Sequence, residues 1–132
     1  MKSKKQDNPN GKKTIMIVDD EEAIRMLITS FLEKDYNIID LNDGHEALVY
    51  LSKNNLPDMI LLDMEMPHVN GRVFVRKFKN GGIKNNNVPI IFISSVQSKS
   101  IIQSMLNLGV ADYIVKPFNP EELVAKINAI LT

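Results

Sequence analysis

The chain has 132 residues, enough for one domain that buries roughly two thirds of its unfolded surface and folds without staples. It contains no cysteine, which excludes disulfides and thiolate metal sites and fits a reducing compartment. No apolar run approaches the ~20 residues of a membrane helix and the N-terminus lacks the apolar core of a signal peptide, so a soluble, cytoplasmic protein is expected.

The net charge of zero hides an uneven layout: residues 1–13 carry five lysines and one acid, while residues 14–132 carry 11 basic and 15 acidic side chains. No acid occurs between Glu65 and Asp112, a stretch that holds Arg72, Arg76, Lys77, Lys79, Lys84 and Lys99. Runs of this kind are ordinarily solvated helix faces. Without interleaved exposed aromatics or a binding motif, no direct DNA binding is expected from this chain.

Residues 1–13 are polar, include Pro9, Asn10 and Gly11, and read as a disordered basic tail. Thr14–Val18 is an apolar strand that runs into Asp19-Asp20. The spacing of Ile24, Leu27, Ile28, Phe31 and Leu32 predicts a helix over 23–34. A short strand follows at 36–40. Gly44–Lys53 is a helix with Ala47, Leu48 and Leu51 on one face, stopped by Pro57. The strand 58–62 runs into Asp63. A helix over 71–79 turns Val73, Phe74 and Phe78 inward, and residues 80–87 are a Gly- and Asn-rich loop. The strand 88–93 runs into Ser94. The helix 98–108 ends at Gly109, which suits a left-handed cap. Asp112–Val115 is the last strand and runs into Lys116-Pro117. The final helix has clear start signals in Asn119, Pro120 and Glu122, with Leu123, Ile127 and Ile130 on one face. Near-continuous apolar strands alternating with helices predict an α/β fold with a parallel sheet covered on both faces.

In such a sheet ligands bind at the carboxyl ends of the strands. Those ends supply Asp19, Asp20, Asp63, Ser94 and Lys116. Singly, each has an ordinary reading as a cap, a first-turn charge or a solvated side chain. Together, in order on strands one, three, four and five, they define a phosphoryl site. Close carboxylates repel and raise one another's pKa, which calls for a cation. Mg²⁺ prefers oxygen ligands, and Asp20 and Asp63 suit direct ligation with Asp19 acting through water. A carboxylate can attack phosphorus, while a metal and an ammonium neutralise charge on the phosphoryl oxygens. Pro117 can fix the direction of Lys116, in particular through a cis bond.

Five stretches carry a family likeness: Ile17-Val18-Asp19-Asp20-Glu21; residues 58–67 with Asp63, Met66 and Pro67; Asn70-Gly71; residues 88–94, ending in Ser94; and residues 109–118, ending in Lys116-Pro117-Phe118. Over residues 14–131 the chain resembles a response-regulator receiver domain of two-component signalling, of the chemotaxis-regulator kind. The resemblance implies a receiver domain over residues 14–132 with a flavodoxin-like (βα)5 three-layer sandwich, strand order 2-1-3-4-5. It makes Asp63 the phosphoacceptor. Asp19, Asp20, Asp63 and the Glu65 backbone carbonyl become the Mg²⁺ site, with Mn²⁺ as a second fit. Ser94 is implied as the switch hydroxyl, Lys116 as the phosphate-binding lysine and Tyr113 as the aromatic coupled to activation. Glu65 and Val96 fall where such domains vary and phosphoryl lifetime is tuned. The implied donor is a sensor histidine kinase or a histidine phosphotransfer protein. The implied output is a repacked surface of the fourth helix, fifth strand and fifth helix, which meets a downstream effector or a second copy.

Such a domain assists its own phosphorylation and dephosphorylation but is not an enzyme on other substrates. His45 and His68 match no donor motif. The fourth helix, with Ile101, Ile102, Met105, Leu106 and Leu108, holds more apolar residues than a single buried face needs, so the surplus is either a broad core face, the ordinary reading, or a dimer or effector surface. The chain stops where the last helix ends, so a stand-alone regulator is expected, with an excised receiver as the alternative. The competing function is a receiver-like scaffold that works without phosphorylation. A dehalogenase-like phosphatase would need a second acid two residues on from its strand-end aspartate, from the first strand, and Glu65 fits that only loosely on the wrong strand; a flavodoxin would not place Asp19-Asp20-Glu21-Glu22 against a flavin phosphate.

Overall fold

The computed structural model describes residues 10–82 and 87–132. Residues 1–9 of the expected tail and 83–86 of the expected loop lie outside the described residues. The elements alternate as β1 (Thr14–Val18), α1 (Glu22–Leu32), β2 (Asn37–Leu41), α2 (Gly44–Lys53), β3 (Met59–Asp63), α3 (Gly71–Asn80), β4 (Ile90–Ser94), α4 (Lys99–Leu106), β5 (Asp112–Val115) and α5 (Pro120–Leu131). All four strand pairings are parallel, and the order is β2-β1-β3-β4-β5.

Side chains alternate across a strand, so each apolar run feeds two cores. Ile15, Ile17, Leu61, Ile93 and Ile114 pack with Ile28 and Leu32 of α1 and Leu123 and Ile127 of α5. Met16, Val18, Leu62, Phe92 and Tyr113 pack with Ala47 and Leu51 of α2, Phe74 and Phe78 of α3 and Met105 of α4. The result is three layers with the sheet in the middle. Phe74 and Phe78, one helical turn apart, stack at a ring separation of 6.1 Å.

Strands β1 and β5 have the expected bounds, while β2, β3 and β4 run one or two residues later than the sequence suggests. The Tyr36 N–H is still held by the Leu32 carbonyl at 2.9 Å, in the turn that leaves α1, so β2 starts at Asn37. Pro89 has no N–H to donate; its carbonyl accepts from Ile60 at 3.0 Å and β4 begins at Ile90. Asp58 sits below β3, its carboxylate accepting from the Thr14 N–H at 2.8 Å. The consequence is functional: Asp63 and Ser94 are themselves the last residues of β3 and β4, paired with Ile93 and Val115.

Side-chain caps fix where the helices begin. Asp43, Asn70, Ser98 and Asn119 each accept from a main-chain N–H of the first turn of α2, α3, α4 and α5. Helix α4 is shorter than the expected 98–108, because Leu108 and Gly109 close tighter turns onto Met105 and Leu106. Gly109 then takes φ +89°, which only glycine adopts without strain. Leu27, which shares the helical spacing of α1, is exposed together with Met26. On α4, Met105 is buried and Ile102, Leu106 and Leu108 pack against the core, so Ile101 alone of the five is exposed. Residues 10–13 lie against the start of β2, where Asn10 and Asn37 exchange side-chain hydrogen bonds at 2.9 and 3.2 Å. Among the described residues no helix is long and apolar enough to cross a membrane.

Candidate functional site

The carboxyl ends of β1, β3, β4 and β5 converge around the Lys116 ammonium. Its Nζ lies 3.1 Å from Asp19 Oδ2, 3.6 Å from Asp63 Oδ1 and 3.6 Å from Glu21 Oε1. The two nearest carboxylates in the core are almost sealed from solvent: Asp19 is 2% and Asp63 4% exposed. Asp20 and Glu21 are exposed at the rim. Lys116 follows β5 through its main-chain N–H, which donates to the Ser94 carbonyl at 2.8 Å. The Lys116–Pro117 peptide bond is cis.

Local structure holds each acid in place. The Asp19 carboxylate accepts from the Glu21 N–H at 2.9 Å, at the entry to α1. Its own carbonyl accepts from Arg25 Nη1 at 2.7 Å, while Arg25 Nε pairs with Asp40 of β2 at 2.6 Å. Arg25 therefore ties α1 and β2 to the main chain of Asp19. Asp63 Oδ1 accepts from the Glu65 N–H at 3.3 Å. Behind it, Gly71 lets the start of α3 approach the end of β3: its N–H donates to the Met64 carbonyl at 2.9 Å, and a Cβ there would stand 2.6 Å from the Phe92 ring and 2.8 Å from Met64 Cα.

Ser94 is fully buried. Its Oγ accepts from the Val96 N–H at 3.1 Å and donates to Glu65 Oε1 at 3.2 Å. The Tyr113 ring is turned inward against Phe92, with centroids 6.4 Å apart, and its hydroxyl donates to the Val96 carbonyl at 3.0 Å. His45 and His68 are exposed, and His68 has φ +68° in the turn between Asp63 and α3.

The electrostatics separate the charged groups. Burial, and then the charge of Asp19, push the Asp63 carboxyl up to about 7; Lys116 and the Glu65 N–H oppose this, and Asp20 adds to it. Burial acts to lower Lys116, but Asp63, Asp19 and Glu21 outweigh it and hold the ammonium above its ordinary value. One ammonium thus serves several carboxylates, and a nearly buried aspartate is left short of positive charge. Asp19, Asp20 and Glu21 each offer a carboxylate oxygen, all within 4.8 Å of one another. A hard divalent cation fits this all-oxygen donor set and the charge deficit at Asp63.

The structure brings Asp19, Asp20, Asp63, Ser94, Lys116 and Tyr113 to one edge of the sheet. Asp63 is joined to the acids after β1 through Lys116 and does not belong to the tight oxygen group. Sequence reasoning did not single out Glu21 as part of that group, although it directly follows Asp19-Asp20. Arg25 was missed as well; its one signal is that it is the sole basic residue of α1, set beside Ile24 and Ile28. Nor did the sequence reveal that the Glu65 side chain reaches Ser94.

This fold and this strand-end arrangement are those of a signalling receiver. Residues 15–128 match the model of the response regulator receiver domain family, and the chain belongs to that family. It is 36% identical over 121 residues to a probable transcriptional regulator ycf27 of Guillardia theta, covering 91% of this chain and 46% of that protein. It is 37% identical over 120 residues to histidine kinase P4 of Formosa agariphila, covering 91% of this chain and 9% of that protein. The chain therefore spans about half or less of these curated relatives. Among solved structures, the receiver domain of the Francisella response regulator 1452 superposes with a TM-score of 0.83 at 28% identity, covering 91% of this chain and 97% of that one. The family is a signalling domain of two-component systems.

Proposed function

We propose that this domain is a phosphorylation-dependent switch in which Asp63 accepts a phosphoryl group from a phosphohistidine. The donor is a sensor histidine kinase or a histidine phosphotransfer protein, encountered in the cytoplasm. The observation that carries the reading is the Lys116 ammonium, held 3.6 Å from Asp63 and 3.1 Å from Asp19 beside the buried Ser94 hydroxyl.

In the transfer, a carboxylate oxygen of Asp63 forms a bond to phosphorus. The phosphorus–nitrogen bond of the donor breaks, its electron pair returns to the imidazole, and the product is an acyl phosphate on Asp63. Asp19, Asp20, Asp63 and the Glu65 carbonyl would hold Mg²⁺, with Mn²⁺ a second fit and Glu21 close at hand. When bound, the metal supplies positive charge to the phosphoryl oxygens. Lys116 supplies a fixed second cation to the same oxygens. Asp19 keeps Lys116 aimed, and Arg25 keeps Asp19 aimed. Ser94 offers a hydroxyl to one phosphoryl oxygen, and Tyr113, tied to Val96 two residues on, carries the change toward the α4–β5–α5 surface. Phosphorylation biases two pre-existing states only by its differential affinity for them. The repacked surface would meet a downstream effector or a second copy.

Intact-mass measurement after incubation with Mg²⁺ and acetyl phosphate or phosphoramidate tests the reading. One phosphoryl adduct is expected on the wild type and none on Asp63→Asn. Absence of an adduct with every donor would overturn it in favour of a scaffold that works without phosphorylation.

A further inference from the structure

We propose that the Glu65 carboxylate is an internal competitor for the switch hydroxyl: it holds Ser94 in the unphosphorylated protein and must release it when Asp63 is phosphorylated. The inference rests on the reading of Asp63 as phosphoacceptor and adds a role for a side chain outside that chemistry.

A serine hydroxyl has one proton to give. Ser94 Oγ already accepts from the Val96 N–H at 3.1 Å, and its proton is directed to Glu65 Oε1 at 3.2 Å. The hydroxyl is fully buried, so water does not offer it an easy substitute. A phosphoryl group on Asp63 would bring about two negative charges and three strong acceptor oxygens. Ser94 cannot donate to that group and to Glu65 at once, so the two hydrogen bonds are mutually exclusive.

Glu65 is built to let go. It is exposed, so its carboxylate exchanges Ser94 for water at little cost. At 3.2 Å the contact is longer than the usual hydroxyl–oxygen hydrogen bond and correspondingly weak. Its N–H is tethered to Asp63 Oδ1 at 3.3 Å, so the residue stands beside any charge gained there, and like charge drives its carboxylate outward. Attraction to Ser94 and repulsion from the phosphoryl thus act on the same side chain in opposite states.

The contact also reaches inward. Glu65 accepts from Ser94, Ser94 accepts from the Val96 N–H, and the Val96 carbonyl accepts from the Tyr113 hydroxyl at 3.0 Å. Hydrogen bonds linked through the main chain of Val96 therefore join the rim acid to the aromatic beneath α4. Glu65 at their outer end biases the state of the whole linkage.

The test is a double-mutant cycle on binding of beryllofluoride, a non-covalent phosphoryl mimic, in the presence of Mg²⁺. Glu65→Ala and Glu65→Gln leave the main chain intact. Glu65→Ala removes the competitor and is expected to tighten beryllofluoride binding roughly three- to tenfold, the range of one ordinary net hydrogen bond, since the exposed Glu65 carboxylate regains water when it lets go. Glu65→Gln, which keeps an acceptor and loses the charge, falls between. In a Ser94→Ala background, the Glu65→Ala gain should shrink below about twofold. In ligand-free protein the Val96 amide resonance should move in Glu65→Ala. An equal gain with and without Ser94 would mean general charge repulsion and would overturn the proposal. So would an unchanged affinity in Glu65→Ala with wild-type binding intact. If neither wild type nor variants take up beryllofluoride or a phosphoryl group, the reading of Asp63 itself fails and the competitor role falls with it.

Discussion

Asp63 is an aspartate kept at a position that disfavours its charge. Nearly sealed burial and the Asp19 carboxylate raise it to about 7, and Lys116 offsets only part of that. A raised folded-state value means that the folded protein binds this proton more tightly than the unfolded chain. The stability from that proton is full below about pH 4 and is lost as the pH rises through about 7. Metal-free protein should therefore lose stability across that window, by at most about 4 kcal/mol at 1.36 kcal/mol per pH unit. Asp63→Asn should unfold at higher urea than the wild type at pH 8 in chelator, and the gap should close toward pH 4. A gap independent of pH would mean that Asp63 is not the titrating group. Asp20 makes the complementary case. It is exposed, so Asp20→Asn should change metal-free stability by no more than about 0.5 kcal/mol. Saturating Mg²⁺ should raise the wild-type melting temperature through ligand linkage and should leave Asp20→Asn almost unmoved. An equal rise in both proteins would remove Asp20 from the metal site.

At the scale of elements, the site depends on how closely α3 starts behind β3. Gly71 is the contact that permits this, since a methyl group there would meet both the Phe92 ring and the Met64 main chain. Neither neighbour is the end of a flexible chain, so Gly71→Ala should cost about 1–3 kcal/mol in urea unfolding, the usual range for overpacking. The strain would fall on the residues that follow Asp63, so phosphoryl uptake should slow as well; a variant with wild-type stability would mean that the helix start shifts freely. The sequence made this arrangement only partly legible. Apolar runs bounded by caps located every helix and strand, because period and capping are local signals. The bounds of β2, β3 and β4 fell one or two residues off, because ladder register is set by the neighbouring strand and not by the run itself. The exposure of Leu27 and the breadth of the core face of α4 were not legible for a related reason: a helix's own spacing does not say how wide the stripe is that its neighbours cover.

At the scale of the molecule, a five-stranded parallel sheet with helices on both faces brings together residues up to 97 positions apart, as in the Lys116–Asp19 pair. The identities of Asp19, Asp20, Asp63, Ser94 and Lys116 were readable because each ends an apolar run. The supporting contacts were not: Arg25 with Asp19 depends on how α1 leans over the end of β1, and Glu65 with Ser94 on where the turn after β3 carries an exposed side chain. The same geometry defines how a local event travels. Tyr113 sits on β5 with its ring in the core that α4 covers, and its hydroxyl holds the Val96 carbonyl two residues from Ser94. On the opposite side of β5, Asp112 pairs with Lys126 of α5 at 2.9 Å, so β5 is anchored to α5 while its aromatic faces α4. Tyr113→Phe removes one hydrogen bond and keeps the ring, at a stability cost of about 1 kcal/mol. Because the hydroxyl touches none of the acids, the rate of phosphoryl uptake from phosphoramidate should stay within about twofold of wild type. The amide shifts that phosphorylation induces along α4 should shrink while those beside Asp63 persist. Uptake and α4 shifts both unchanged would mean that the coupling bypasses the tyrosine hydroxyl and runs through backbone packing alone. Uptake lost together with the shifts would mean that Tyr113 helps to build the site itself.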